Sequence, residues 1–564
     1  MQRSRRQVLA GVLAVAVVAL LGGAVVGTAL SLGPVGDANV GSDHRPDEPS
    51  TSETVGYVEG YWYDDELPVD DRDGAVLEES ELEPAVYRSM ARVEQVRGLT
   101  FERAVPVDVV SREEFQEEDD ALFANLSRDE RLQENVNFEA LFMVDRDTDA
   151  EDEVEALYGD AVGGYYDPAT EEIVLVSENP ETPETDEVIL GHELHHALQD
   201  QHFDLGSFDR ETIDEDAAKN GLIEGDATAV ENEYAQRCAS EWDCLEPTTT
   251  PQTPTGVNWG MMLIVTHPYE AGPDYVDYLR ETGGWEAVDA AYDDPPASSS
   301  EVIRPGEERE PVDVDVADRS SAEWQQFEID GEVATETAGE VGMVSMLAAG
   351  ALDPTKPSVI DESALVNPDL STDYDHPYTD GWAGDELVTY VHEDAAAAET
   401  TRDALDHAGY VWQSEWTSEA EAAEFVDGYL ELLDIHDADA VDDREDTYVI
   451  EEDYPGAYAI EYEDETVTIV RAPSVDDLEA VHEGVGPTGS DTVAEIDADA
   501  ETHADGESDE SDTADDDDAA TDTAEDGDAI GTPGSIVLTA GVVLGTAAAF
   551  VVFRGGRGGR SADR

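Results

Sequence analysis

Basic residues are what this chain of 564 residues has least of. It carries 28 Lys and Arg against 138 Asp and Glu, a formal net charge of −110. Lysine occurs only at Lys219 and Lys356. Nucleic acid is thereby excluded as a partner, because phosphate binding needs clustered Lys and Arg. Such a surface repels itself in dilute buffer, whereas at molar salt the Debye length shrinks to about 3 Å and the repulsion is screened. The composition therefore reads as adaptation to hypersaline, archaeal surroundings. Cysteine is nearly absent too. Cys238 and Cys244 are the only two, too few for a thiolate metal cage, and a short-loop disulfide between them is expected if the domain faces an oxidising compartment. No internal repeat and no phosphate-cradling glycine loop stand out. Hydrophobic residues make up 40%, enough for a core, in one large or two to three modest domains.

Against this background one stretch concentrates chemistry. Residues 188–205 read VILGHELHHALQDQHFDL and contain His192-Glu193-Leu194-His195-His196. On a helix each residue advances about 100°. His192 and His196 then share one face, one turn apart, as two ligands of a single metal must. Glu193 projects beside them, where a carboxylate can take a proton from an attacking water. Leu190, Leu194, Ala197 and Leu198 fall on the opposite face, which predicts a core-facing side. His195 lies off the ligand line. A second segment, DAAKNGLIEGDATAVE (216–231), has helical character. Its small residues Ala217, Gly221, Gly225 and Thr228 form a stripe beside Glu224 that would admit a close neighbouring helix. A catalytic zinc takes three protein ligands and leaves a fourth position for water. Glu224 is the expected third ligand, with Glu340 the runner-up.

HELHHALQDQHFDL followed by LIEGDA resembles the HELxHALQDQxFDL and LVEGDA pair of a family of bacterial and archaeal zinc metalloproteases of the gluzincin type. That resemblance implies Zn²⁺ as cofactor, His192, His196 and Glu224 as its ligands, and Glu193 as catalytic base. It extends loosely over residues 80–480, through GGYYDPAT (163–170), GGWEAVDAAYDDPP (283–296), TAGEVGMVSML (337–347) and GWAGDELV (381–388). The family pattern has His-Pro where this chain has Arg304-Pro305. In zincins generally an edge strand near the metal helix pairs with extended substrate, so the resemblance points to Ile173–Val176 or its hairpin partner as that edge. A donor for the developing oxyanion is also needed. Tyr374, His376, Tyr378 and Trp382 are the candidates. His267 reads as a structural histidine.

The rest of the chain predicts topology. Residues 1–34 hold Arg5-Arg6 in a twin-arginine-like setting, then 25 uncharged residues, Val8–Leu32. This segment is an export signal or a retained anchor. Residues 35–54 read as a linker. The expected fold is α+β: a mostly helical, zincin-like metallopeptidase domain over 55–400 and a small α+β unit over 401–486, with a small β-sheet. Residues 487–532 are acidic and cannot bury enough to fold, which predicts an extended stalk. Ser535–Phe553 is apolar and is followed by the basic tail 554–564, which predicts a transmembrane helix with its basic end inside. The expectation is a membrane-anchored, extracellular peptidase acting on peptide or protein substrates. The alternative is a cell-envelope structural protein with a non-catalytic zinc.

Overall fold

The computed structural model describes residues 45–493 apart from short stretches, the longest at 116–125 and 247–255, together with the pair 547–548. The expected signal segment, the first half of the linker, most of the stalk and the basic tail lie outside the described residues. So does the expected span at 535–553, except for Ala547–Ala548, which lies parallel to residues 162–164 as a short bridge rather than in a helix. Among the described residues no helix is long and apolar enough to cross a membrane. Packing continues to Val493, past the expected start of the stalk at 487, because the Asp446 carboxylate accepts the backbone N–H groups of Thr492 and Val493.

The helical part is built around two adjacent helices. Helix α1 (Glu79–Arg97) ends on Gly98, whose φ of 82° only glycine adopts freely. Strand β1 (Val107–Ser111) and helix α2 (Arg128–Ala140) follow. The hairpin β2 (Val162–Asp167) and β3 (Glu172–Ser177) leads into the metal-motif helix α3 (Glu187–Phe203). Asp186 caps α3 by accepting from the backbone N–H of Val188 and Ile189. Helix α4 (Ile213–Cys238) carries Asp214, Glu215 and Asp216 in its first turn and Arg237 in its last, the signs the helix dipole favours. Helices α5 (Trp259–Glu270), α6 (Gly272–Gly283) and α7 (Ser299–Ile303) pack around α4. As expected, Leu190, Leu194, Ala197 and Leu198 are buried, in one cluster with Leu222, Ile223 and Tyr234 of α4.

The stripe of small residues on α4 meets a different neighbour from the one expected. A Cβ on Gly225 would strike the backbone of Gly272, and one on Gly221 would strike Val302. The stripe therefore admits α6 and α7. The close approach of α3 to α4 rests instead on Gly191, where a Cβ would lie 3.1 Å from the Tyr234 ring.

The fold class is α+β, with 42% helix and 18% strand among the described residues, but the sheet is not small. Strands β4 (Trp324–Gln326) and β5 (Thr335–Glu336) precede the buried helix α8 (Gly339–Leu347). The long strands β6 (Trp382–His392) and β7 (Ala408–Trp416) are followed by helix α9 (Glu419–Ile435). Strands β8 (Asp439–Ala440), β9 (Thr447–Ile450), β10 (Gly456–Glu463) and β11 (Thr466–Ala472) come next, then helix α10 (Val475–Val481). Together they form an antiparallel eight-stranded sheet in the order β8-β9-β10-β11-β7-β6-β4, with β5 also on β6. Side chains alternate between its faces. Leu387, Tyr410, Trp412 and Ile469 join the core with Phe425 and Tyr429 of α9. Val388, Val411 and Val470 pack with Leu478 and Val481 of α10. With both faces buried, a one-residue slip would exchange every side chain between them, so the register is strongly specified.

This sheet moves the expected domain boundary. Residues 400/401 fall between β6 and β7, which pair from Trp382↔Trp416 to Val391↔Ala408. A division there would cut a hairpin, and the sheet draws in sequence from Trp324 onward. The smaller sheet corrects a second expectation. Strand β3 lies between β1 and β2, so Ile173–Val176 has partners on both sides and is no edge. Its hairpin partner β2 lies outside it, with Ala547–Ala548 bridged to the far side of β2 at residues 162–164.

Candidate metal centre

Helices α3 and α4 bring His192, His196 and Glu224 together. The two Nε2 atoms are 3.0 Å apart, and Oε2 of Glu224 lies 3.3 Å from His192 Nε2 and 3.2 Å from His196 Nε2. Three corners of a tetrahedron with bonds of about 2.0–2.1 Å are about 3.3–3.4 Å apart. The donors thus already have nearly the spacing of a zinc site. Glu340 does not take part. It is buried against Arg304 and accepts from Thr379 Oγ1 at 3.1 Å. Arg304, at the place of the family's histidine, is the centre of an ion-pair group with Glu340, Asp375 and Asp380.

The outer nitrogens orient the rings. His192 Nδ1 lies 2.8 Å from Glu231 Oε2, and His196 Nδ1 lies 2.8 Å from Gln199 Oε1. Both partners are oxygen acceptors, so each Nδ1 carries the proton and each Nε2 presents a lone pair to the centre. Two lone pairs and a carboxylate at this range repel unless a positive charge sits between them. Without a metal a proton fills that role. Burial opposes it, yet hydrogen bonds that the ring donates to Glu224 and Glu231 hold the His192 imidazole well above its ordinary value. Burial likewise opposes ionisation of Glu224, and the two imidazoles overcome it and hold that carboxyl well below the carboxylate range. Both oxygens of Glu224 lack any other hydrogen-bond partner. The donor set, its spacing and these orphaned oxygens fit a zinc ion.

Glu193 is held from the side. Its Oε2 accepts the backbone N–H of Tyr166 in β2 at 3.0 Å, and its Oε1 is buried without a partner. Burial pushes its carboxyl well above the usual range. In this protein β2 thus supplies a backbone donor to Glu193 from its outer edge. His195 turns away, with Nε2 3.3 Å from Asp226. Burial lowers its basicity against the pull of that carboxylate.

Several contributors escaped the sequence reading. Gln199 donates to the Ile223 carbonyl at 2.8 Å and to the Tyr292 hydroxyl at 2.6 Å. Tyr292 donates to Asp226 at 3.0 Å, and Asp226 is clamped by Arg97. A polar chain thus runs from Arg97 to His196. Gln199 and Asp226 lie inside the two motifs, so a signal was there. Glu231 follows Glu224 by two helical turns, and that spacing was the available clue. The ring of Tyr269, on α5, stacks 6.4 Å from that of His192.

Of the expected oxyanion donors, Tyr374 and Trp382 are engaged elsewhere. Tyr374 is buried, and its hydroxyl donates to the Leu263 carbonyl at 2.7 Å. His376 and Tyr378 pack on one another, and Tyr378 rests on Gly428 of α9. Trp382 donates its indole N–H to Asp385. His267 is buried with its ring edge-on to Tyr374, and burial pushes it down to about 3. Cys238 and Cys244 form a disulfide. Its loop leads to Leu245, whose N–H donates to Glu187 Oε2 at 3.0 Å in the first turn of α3.

Among known protein families, DUF8575, a domain of unknown function, matches residues 325–482. That stretch is the eight-stranded sheet with α8 to α10, and the metal centre lies outside it. No curated protein and no solved structure matches the chain.

Proposed function

We propose that the protein is a zinc-dependent peptide hydrolase of the gluzincin type. The observation that carries this reading is the convergence of His192, His196 and Glu224 within 3.3 Å of one another, with the free oxygen of Glu193 beside them. A bound zinc supplies Lewis acidity, polarising a carbonyl and making a water more acidic. Glu193, steadied by the Tyr166 N–H, would accept a proton from an attacking water and return it to the leaving amine. Gln199 and Glu231 keep the two imidazoles turned inward. The outer side of β2 beyond the Ala547–Ala548 bridge, around Tyr166 and next to Glu193, is where an extended peptide adds. Among the described residues no fourth His, Cys, Asp or Glu joins the group, which leaves a coordination position for water. The apolar ends with basic flanks support anchoring to the cell membrane, with this domain outside.

A non-catalytic zinc is the second reading. The burial of His192, His196, Glu224 and Glu193, all at most 1% exposed, favours it. The deciding experiment compares wild-type full chain with Glu193→Gln in molar salt for zinc content and peptide cleavage. Zinc in both and cleavage only by wild type is the expected result. Zinc in both with cleavage by neither selects the structural reading, and equal cleavage removes Glu193 as base.

A further inference from the structure

A second cluster of metal-ligating side chains lies at the loop end of β6 and β7, within the DUF8575 match. His392 is the last residue of β6, and His407 comes immediately before β7. The His392 N–H donates to the His407 carbonyl at 2.9 Å, which extends the Val391↔Ala408 pairing by one residue. The two imidazoles are therefore cross-strand neighbours on one face. Their ring centres are 6.2 Å apart and their planes are inclined by 30°. Asp394 follows two residues later, with Oδ2 3.4 Å from His392 Nδ1. One donor atom from each of the three lies within 4.8 Å of the others.

The backbone around these side chains is already ordered. The N–H of Asp394 donates to His392 Nδ1 at 3.3 Å, and the N–H of Glu393 donates to the Glu323 carbonyl at 2.9 Å. The indole of Trp324, on β4, stands edge-on to His392 at 5.5 Å. Ligand atoms of one ion are about 3.3 Å apart, so closure needs side-chain rotation and no backbone change. Glu393, Asp403 and Asp406 add negative charge in the same connection, and its one cation, Arg402, is paired with Asp147.

We propose that His392, His407 and Asp394 bind a divalent transition-metal ion of the zinc class and staple the β6–β7 connection. Two imidazoles and one carboxylate suit zinc or copper far better than calcium or magnesium. Solvent completes the coordination, because Asp394 is two-thirds exposed. The role is structural. The connection is otherwise tied down by the Ala395 and Leu405 carbonyls, accepting from Arg128 and Arg146, by the Arg402–Asp147 ion pair and by buried Ala395, Ala404 and Leu405.

The test is zinc stoichiometry of the full chain in molar salt, against a competing chelator that strips ions held loosely by the acidic surface. Wild type is expected to retain two ions and His407→Ala one. Glu224→Ala should also retain one, and the double variant none. Two ions in His407→Ala, or a single ion in wild type that His407→Ala leaves in place, would overturn the proposal. Copper gives a second readout. It should quench Trp324 fluorescence in wild type and in Glu224→Ala but not in His407→Ala, and equal quenching in all three counts against the site. If His407→Ala does not fold, the exposed Asp394→Asn takes its place, with zinc affinity at this site expected to fall at least tenfold. The inference does not depend on the α3–α4 centre, since each variant reports on its own site.

Discussion

Helix α3 holds two buried acidic centres, one at Glu187 and one where Glu193 and the histidines face Glu224. They are satisfied in opposite ways. Glu187 receives Arg88, Arg92, the Ser89 and Tyr234 hydroxyls and the Leu245 N–H. Buried Asp226, Glu139 and Glu340 also have arginine partners. In a chain with so few basic residues, a large share of them is spent inside as counter-ions. Glu224 has no arginine ion pair among the described contacts; its direct partners are two imidazoles, and Arg210, paired with Asp216, reaches it only through its longer-range field. A buried carboxylate needs a positive charge nearby. At Glu187 the protein carries that charge permanently. At Glu224 the charge has to arrive, as a proton or as a metal ion, and that difference separates a structural acid from a candidate ligand.

The largest expected effect breaks the arginine-satisfied centre. Glu187→Ala leaves two buried guanidinium groups without their carboxylate and should cost about 3–5 kcal/mol, read as a lower denaturant midpoint. Glu224→Ala, measured on metal-free protein, should cost a fraction of that while abolishing zinc retention. Equal losses would erase the distinction between the two centres. Next comes chemistry. Glu193→Gln should lower peptide cleavage by about 10²–10⁴-fold with zinc content unchanged. A smaller effect is expected from the groups that orient the rings. Gln199→Ala should weaken zinc binding by about 10–100-fold, seen by chelator competition. Glu231→Gln should weaken it less, because that carboxylate is partly exposed.

The smallest effect is in pH. The His192 imidazole is raised in the folded, metal-free protein. Its contribution to stability is therefore full below the unfolded value of about 6.5 and is lost as pH rises through the folded value. Zinc competes with the same proton, so zinc affinity changes in the opposite direction and grows with pH. Thermal unfolding of metal-free protein should show midpoints that fall as pH rises past about 6.5. Glu224→Ala should flatten that slope, and an unchanged slope would locate the effect elsewhere.

Much of the candidate site was legible in the linear chain, because its parts are local. The i, i+4 spacing of His192 and His196, the acid between them and the core-facing leucines follow from helical periodicity alone. Glu224 was legible from its motif. Glu231, Gln199 and the Tyr166 N–H were not, because each reaches the centre from a side chain or strand whose direction depends on packing. Tyr374 misled for the same reason. A cluster of aromatics reads alike whether its polar tips face a cleft or, as with the Tyr374 hydroxyl, a helix carbonyl. The β-sheet was undercounted because short strands such as β4, β5 and β8 carry too few residues to show a period of two.

By itself, the sequence determined the charge, the motif helix and the expected ligand types. These depend on composition and on neighbours a few positions apart. Only the tertiary structure decided that Glu224 rather than Glu340 meets the histidines, and that the stripe of small residues on α4 admits α6 rather than α3. It also gave β3 partners on both sides and let the large sheet cross the expected domain boundary. Each of those outcomes turns on which surfaces meet in space. That is set by the joint packing of distant segments, for which no local pattern carries the information.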